Sequence, residues 1–533
     1  MAFTFQINSG VQFIHDEAML SMAEVNHPQI KKQTVFPTAI VDLVKDDTKL
    51  NGYGVQESDK KIENIHEYGL GRDEKLILDF GDHRVGTFKI DIDQTGSPMD
   101  APLYLRLKFA EMPAEFAAES SEYDGWLSRS WIQEEIVHID ELPATLELPR
   151  RYSFRYVELK VIDTSPKWQA VFYNPIVTSE TSADLLKVKK PELEDEKLSK
   201  IYDVGLKTLA DCMQDVFEDG PKRDRRLWLG DLRLQALANY ATFDNKELVR
   251  RCLYLFAGMT TEEGKISANV FVKPKNIPDD TFLFEYSLFF ISTLYDLNEA
   301  HPDIKIVNEL YSTCKKQMDI TLGMFDQDGK LMVDEDYPVF VDWSNEFNKD
   351  TAGQAEAIYV LKQFIELARL VGEEELDKYE KSLELISSYA RNKLYNSEKK
   401  LFVTTGDEYN IASQVWMVLA KVMSPEENKE IMTTMIQEMF PVKNIATPYM
   451  YHHIVEALFE GGLEEEAVQL MKDYWGKMID LGADTFWEAF DPDDPDYSPY
   501  GSPILNSYCH AWSCTPVYLI HKYVLKDFHE KCL

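Results

Sequence analysis

The chain has 533 residues, 44% hydrophobic and 12% aromatic, with 92 acidic against 56 basic side chains and a formal charge of −36. This composition excludes a disordered or fibrous protein, and a surplus this negative, with no basic patch to offset it, speaks against binding nucleic acid or an anionic membrane surface. No stretch offers the ~18 apolar residues of a membrane span, and MAFTFQINSGVQFIHDEAML lacks the layout of a secretory signal, so a cytoplasmic protein is expected.

Up to about residue 185 the apolar residues follow a period of two, as in half-buried strands. Leu103, Leu105, Leu107 and Phe109 alternate with Tyr104, Arg106 and Lys108; Phe88, Ile90 and Ile92 alternate around Lys89 and Asp91; Val157, Leu159 and Val161 alternate around Glu158 and Lys160. Turn residues separate these runs and no long helical pattern intervenes. An antiparallel, jelly-roll-like β-sandwich over residues 1–186 is the reading. The charged connector KVKKPELEDEKL, 187–198, ends it.

From 199 to 533 the period is 3.6, as in the stripe Ile358, Leu361, Ile365 and Ala368, and about twelve helical segments follow one another. Their connections alternate between long (218–230, 259–281, 324–348, 395–409, 439–447, 480–503) and very short. In an up-and-down arrangement of antiparallel helices this alternation puts every long loop on one face. Six such hairpins describe an (α/α)6 toroid; an irregular α-superhelix is the alternative, but no fixed-period repeat supports it. Functional residues concentrate on elaborated loops held by a rigid scaffold.

The first long loop reads EDGPKRDRRLWLGD, with Asp219, Asp224 and Asp231 around Arg223, Arg225, Arg226 and Trp228. Carboxylates beside a guanidinium and an indole suit the hydroxyls and the apolar face of a sugar. Turn chemistry also explains Asp219, and Asp231 is placed to N-cap the helix LRLQALANYATF. Arg225 and Arg226 read as solvated. The last long loop sets Glu488 between Trp487 and Phe490, where desolvation would raise its pKa. His510 reads as a packed core histidine, and Trp343, Asp280 and Tyr286 lie near helix starts. The six cysteines show no CxxC or zinc spacing and read as buried thiols, so neither a metal nor another cofactor is expected. Two carboxyls across a cavity, one protonating a leaving oxygen and one activating water, point to glycosidic bond hydrolysis. No phosphate loop, GxSxG elbow or Cys/His pair offers a rival chemistry.

DGPKRDRRLWLGD strongly resembles the acidic signature of glycoside hydrolase family 78, the α-L-rhamnosidases, and FWEAF followed by NSYCHAW resembles its second catalytic region. LILDFGDHRVGTFKIDI, LYLRLKFAEMPAEF, SRSWIQEE and RYSFRYVELKV look like the family's N-terminal β-domain, and FVDW and TPYMYHH look like other loops of its helical domain. The resemblance implies Asp224 as general acid and Glu488 as general base of an inverting mechanism on terminal α-L-rhamnose. It implies Asp219, Arg223 and Asp231 on the sugar hydroxyls, Trp228 and Trp343 as pocket walls, and His510 on the sugar. The family acid is commonly Glu, whereas Asp224 is one methylene shorter; Asp219 and Asp231 are the fallback acids. The sequence ends soon after the twelfth helical segment, where many relatives continue into a further β-domain, so a more open pocket is expected. Another six-hairpin glycosidase, acting on a uronide or another deoxyhexose, and a catalytically weak carbohydrate-binding protein are the competing readings. A rhamnoside is the expected partner. The β-domain is expected to support the toroid and to offer a homodimer contact.

Overall fold

The computed structural model describes residues 6–528. Nine strands between Lys31 and Thr181 form the N-terminal domain, and all of their pairings are antiparallel. The 22-residue strand Lys75–Gly96 belongs to both layers of this sandwich. Its first part pairs with Tyr152–Lys160 and Ala39–Val41, and its second with Trp168–Ser179 and Ala144–Glu147. The ladder breaks between Asp79 and Arg84, where Gly81 takes a φ of 77° that a side chain would strain. Between the layers Phe80, Phe88, Phe109 and Phe154 pack edge to face, and the inward side chains expected from the alternation are all buried.

The outward face departs from the alternation, because Lys108 and Glu158 are buried too. The segment 113–134 roofs this face. Lys108 Nζ donates to the Ala118 carbonyl at 2.5 Å, and Glu158 accepts from Lys75 and Arg106, each at 2.7 Å. The charges that alternate with the core residues are thus paired beneath a loop.

Residues 6–26, placed in the sandwich by the 1–186 expectation, pack on the helical domain instead. Phe13–His15 pairs with Met259–Thr261, and the Asn8 amide donates to Asp280 Oδ2 at 2.6 Å. Helix α1 (Glu17–Val25), N-capped by Asp16, lies against the helix Lys246–Ala257 and buries Ala23. Nine residues are too few for a stable isolated helix, so α1 depends on that docking.

Asp195 caps α2 (Glu196–Cys212), which opens the toroid. There follow α3 (Leu229–Ala241), α4 (Lys246–Ala257), α5 (Phe284–Ala300), α6 (Ile304–Leu322), α7 (Asp350–Val371), α8 (Leu376–Tyr389), α9 (Ile411–Leu419), α10 (Pro425–Met439), α11 (Pro448–Glu460), α12 (Glu464–Asp480) and α13 (Pro516–Leu519), continued as a π-helix to Leu525. Successive odd-numbered helices from α3 to α11 pack on one another, and α13 returns to α3, forming an inner ring. The inner helices are buried nearly all round: every residue of α3 and α9 is buried, against only Tyr379, Ile386 and Ser387 in α8 of the outer ring. Every outer-to-inner connection is long and every inner-to-outer one short, as the loop lengths predict.

Candidate active site

The long loops surround a cavity of about 560 Å³. All eight residues singled out in the sequence line it: Asp219, Arg223, Asp224, Trp228, Asp231, Trp343, Glu488 and His510. Its apolar wall is a chain of edge-to-face rings running from Trp228 through Tyr286 and Phe340 to Trp343 and Tyr500, with Trp512 stacked on Phe340.

Glu488 is the most firmly held acid. Its Oε2 receives Arg223 Nη2 at 2.5 Å, and the Tyr500 hydroxyl donates to its Oε1. Burial pushes this carboxyl above the ordinary glutamate value, and Arg223 and Tyr500 hold it back. Arg223 is itself fixed, donating from Nε to the Leu505 carbonyl at 2.7 Å with its guanidinium 3.9 Å over the Tyr500 ring. Its Nη1 lies 3.6 Å from Asp224 Oδ1, so one guanidinium touches both candidate catalytic carboxyls. Asp224 is the more open of the two, its side chain 21% exposed against 5% for Glu488.

Asp219 sits behind Asp224 and shapes the loop, its two oxygens accepting the Asp224 amide at 2.9 Å and the Arg226 amide at 3.0 Å. Burial first, and then the charge of Asp224, push Asp219 up to about 8 despite those bonds. Asp231 does not cap α3 as expected. The helix begins at Leu229 with Trp228 as N-cap, so Asp231 falls within the first turn and is buried at the cavity floor. Burial, then Asp219 and Glu488, raise it well above the carboxylate range. Burial thus shifts both carboxyls toward their neutral forms. His510, 3.5 Å from Asp231, is held well below the usual imidazole value by burial and then by Arg223, and is neutral. Asp231 Oδ1 and His510 Nδ1 are buried without hydrogen-bond partners among the described residues. Such a pair of unmet polar atoms on a cavity floor suits a ligand rich in hydroxyls.

Sequence reading missed several lining residues. Arg226, read as solvated, lines the cavity with its guanidinium over Phe271, while Arg225 donates to the carbonyls of Lys222 and Arg151. Tyr500, in a loop rich in Asp and Pro, carried no pattern. The β-domain also contributes, through Trp126, Leu127, Ser128 and Trp131. Only their place in SRSWIQEE and the preceding residues could have signalled them.

The β-domain also grips both acid-bearing loops from behind. Buried Glu115 accepts from Lys222, next to Arg223, at 2.6 Å, and Lys222 donates onward to the Asn506 carbonyl. Glu111 accepts the Tyr508 amide at 2.7 Å, and Arg155 joins Asp79 to Asp484. His83 lies between Asp211 and Glu111, with Cys509 close by. His83, Asp211 and Cys509 place ligand atoms within 4.8 Å of one another, a grouping invisible to sequence spacing. Both imidazole nitrogens are nonetheless hydrogen-bonded, and Lys207 already holds Asp211, so the group is an ion network.

Residues 37–179 match the glycosyl hydrolase family 78 alpha-rhamnosidase N-terminal domain, and 192–524 the bacterial alpha-L-rhamnosidase 6 hairpin glycosidase domain. No curated protein is matched by this chain. Among solved structures, the rhamnosidase from Klebsiella oxytoca with rhamnose bound is 42% identical, with a TM-score of 0.93, covering 96% of this chain and 100% of its own. The family 78 rhamnosidase of Bacillus sp. GL1 is 21% identical, with a TM-score of 0.69, over 84% of this chain and 46% of its own. The Streptomyces avermitilis α-L-rhamnosidase complexed with L-rhamnose is 16% identical, with a TM-score of 0.65, over 93% and 44%. The last two share the fold, with this chain spanning about half their length or less. A sandwich-plus-toroid chain with two facing acid loops, matched in both domains, belongs to glycoside hydrolase family 78 and is a glycoside hydrolase.

Proposed function

We propose that the protein releases terminal α-L-rhamnose from small glycosides with inversion at the anomeric carbon. Glu488 takes a proton from water as the water oxygen attacks the anomeric carbon. The bond to the leaving oxygen breaks, and Asp224 gives that oxygen its proton. The raised proton affinity of Glu488 favours its role as base, and the exposure of Asp224 leaves it free to meet a leaving group. Asp219, Asp231 and His510 then serve the sugar hydroxyls, while Trp228 and Trp343 face its apolar side. Arg223 positions the base.

The observation that carries this reading is the single guanidinium touching both carboxyls. Inversion requires the two carboxyls to stand about 6.5–9.5 Å apart, so that a water fits between Glu488 and the anomeric carbon. The 42% identical structure that holds rhamnose supports the choice of sugar. Five described cysteines are buried free thiols, which supports a reducing compartment such as the cytoplasm.

The test is proton NMR of an aryl α-L-rhamnoside during early turnover. β-L-rhamnose is expected as the first product; α-L-rhamnose would overturn inversion. A panel of aryl glycosides in which another sugar outperforms α-L-rhamnose would overturn the substrate.

A further inference from the structure

The floor of the cavity belongs to the toroid and its rim in part to the β-domain. Asp219, Asp231 and His510 are buried at the floor, whereas Trp126 at the rim is 46% exposed. A terminal sugar seated on the floor must send its leaving group toward that rim. At about 560 Å³ the cavity falls within the range that encloses a drug-sized ligand, so its space is not used up by one monosaccharide.

The rim segment is held in place rather than left loose. The Tyr123 hydroxyl donates to the Tyr500 carbonyl and accepts the Leu127 amide, both at 3.2 Å. The Trp126 indole donates to the Pro499 carbonyl at 3.0 Å and lies 5.6 Å from the Tyr500 ring. Leu127 and Trp131 pack on the cluster of Tyr123, Ile132, Tyr500, Ile504 and Leu505. Two indoles and a leucine therefore stand fixed beside the residue that bonds the base.

We propose that residues 123–131 of the β-domain form a leaving-group subsite for a planar, uncharged aromatic aglycone. The inference rests on the rhamnosidase reading and adds the class of aglycone to it. A second sugar in the same place would need several polar partners, and the cavity-lining part of the segment supplies few: the Trp126 indole N–H is spent on Pro499, and beside the Trp131 indole N–H there is only the Ser128 hydroxyl, which already accepts the Ser130 amide. Aromatic faces and a leucine instead reward a flat apolar ring system. The β-domain then takes part in substrate choice.

The experiment compares the intact protein with Trp126→Ala/Trp131→Ala and with Trp126→Phe/Trp131→Phe on three substrates: methyl α-L-rhamnoside, 2-naphthylmethyl α-L-rhamnoside and a rhamnosyl-glucose. The first two both release an alkyl oxygen, so taking the variant-to-parent ratio of kcat/KM for each isolates the subsite. The alanine variant is expected to lose at least about tenfold more on the naphthylmethyl substrate than on the methyl one, with partial rescue by phenylalanine. Equal losses on the two substrates would overturn the proposal in favour of a structural role. A larger loss on the disaccharide would overturn it in favour of a sugar subsite. Calorimetric titration with 2-naphthylmethanol reads the subsite without turnover: saturable binding by the parent, at least tenfold weaker in the alanine variant, is expected. No binding by the parent would overturn the subsite, whereas binding without hydrolysis of any rhamnoside would uphold the subsite and overturn the choice of sugar.

Discussion

The loop that carries Glu488 and the loop that carries Asp224 meet in one cavity but hold their carboxyls in opposite ways. Glu488 is enclosed, clamped on one oxygen by Arg223 and on the other by Tyr500. Asp224 has its backbone amide tied to Asp219, while its side chain stays partly exposed, with Arg223 only at 3.6 Å. An activated water is small and always available, so its base gains from rigid, desolvated placement. A leaving group varies in bulk, so its acid gains from access. The short Asp side chain is thus compensated by a loop whose backbone is fixed from below.

The sharpest break of this contrast is Glu488→Gln. It removes the proposed base on every substrate, and kcat is expected to fall about 10²–10⁴-fold whatever the leaving group. Asp224→Asn separates the two loops: its loss in kcat should approach the same size on an alkyl rhamnoside but shrink on a nitrophenyl one, whose oxygen needs little protonation. Equal losses on both leaving groups would reverse the assignment of acid. Lys222→Met tests the anchoring of the acid loop. Removing one partner of a buried pair costs about 3–5 kcal/mol, so a lowered urea midpoint is expected, and Glu115→Gln alone should show a similar defect. The smallest effect is expected from Tyr500→Phe. Without that donated hydroxyl the charged form of Glu488 is disfavoured, its pKa rises further, and the acidic limb of kcat/KM moves to higher pH with little loss at the optimum. A limb that stays put would show that Arg223 alone sets the base.

The two-period pattern, the alternation of long and short connections and the density of acids in 219–231 were all legible in the sequence, because each follows from local spacing. The shared face of the long loops was readable from loop lengths, since an up-and-down chain puts every second connection at the same end. What stayed hidden depends on contacts distant in sequence. Tyr500 and Trp126 sit in irregular segments where no period marks a side chain as pointing inward. Lys108 and Glu158 obey the strand alternation, yet a loop from elsewhere covers them. Asp231 was misread because an acid before a helical run usually caps it; here the helix starts three residues earlier than expected, and Asp231 lines the cavity from its first turn. The expected contact of His510 with the sugar came from resemblance alone; the structure sets its unmet Nδ1 beside Asp231 on the cavity.

Glu115 and Glu111 of the β-domain meet Lys222 and the Tyr508 amide of the helical domain, one on each catalytic loop. The two domains therefore cannot be exchanged between relatives as independent modules. A chimera must keep Glu111, Glu115 and Lys222 together, with a free backbone amide at position 508, since a helical domain given a foreign sandwich would keep both acid-bearing loops and lose the brace that aims them.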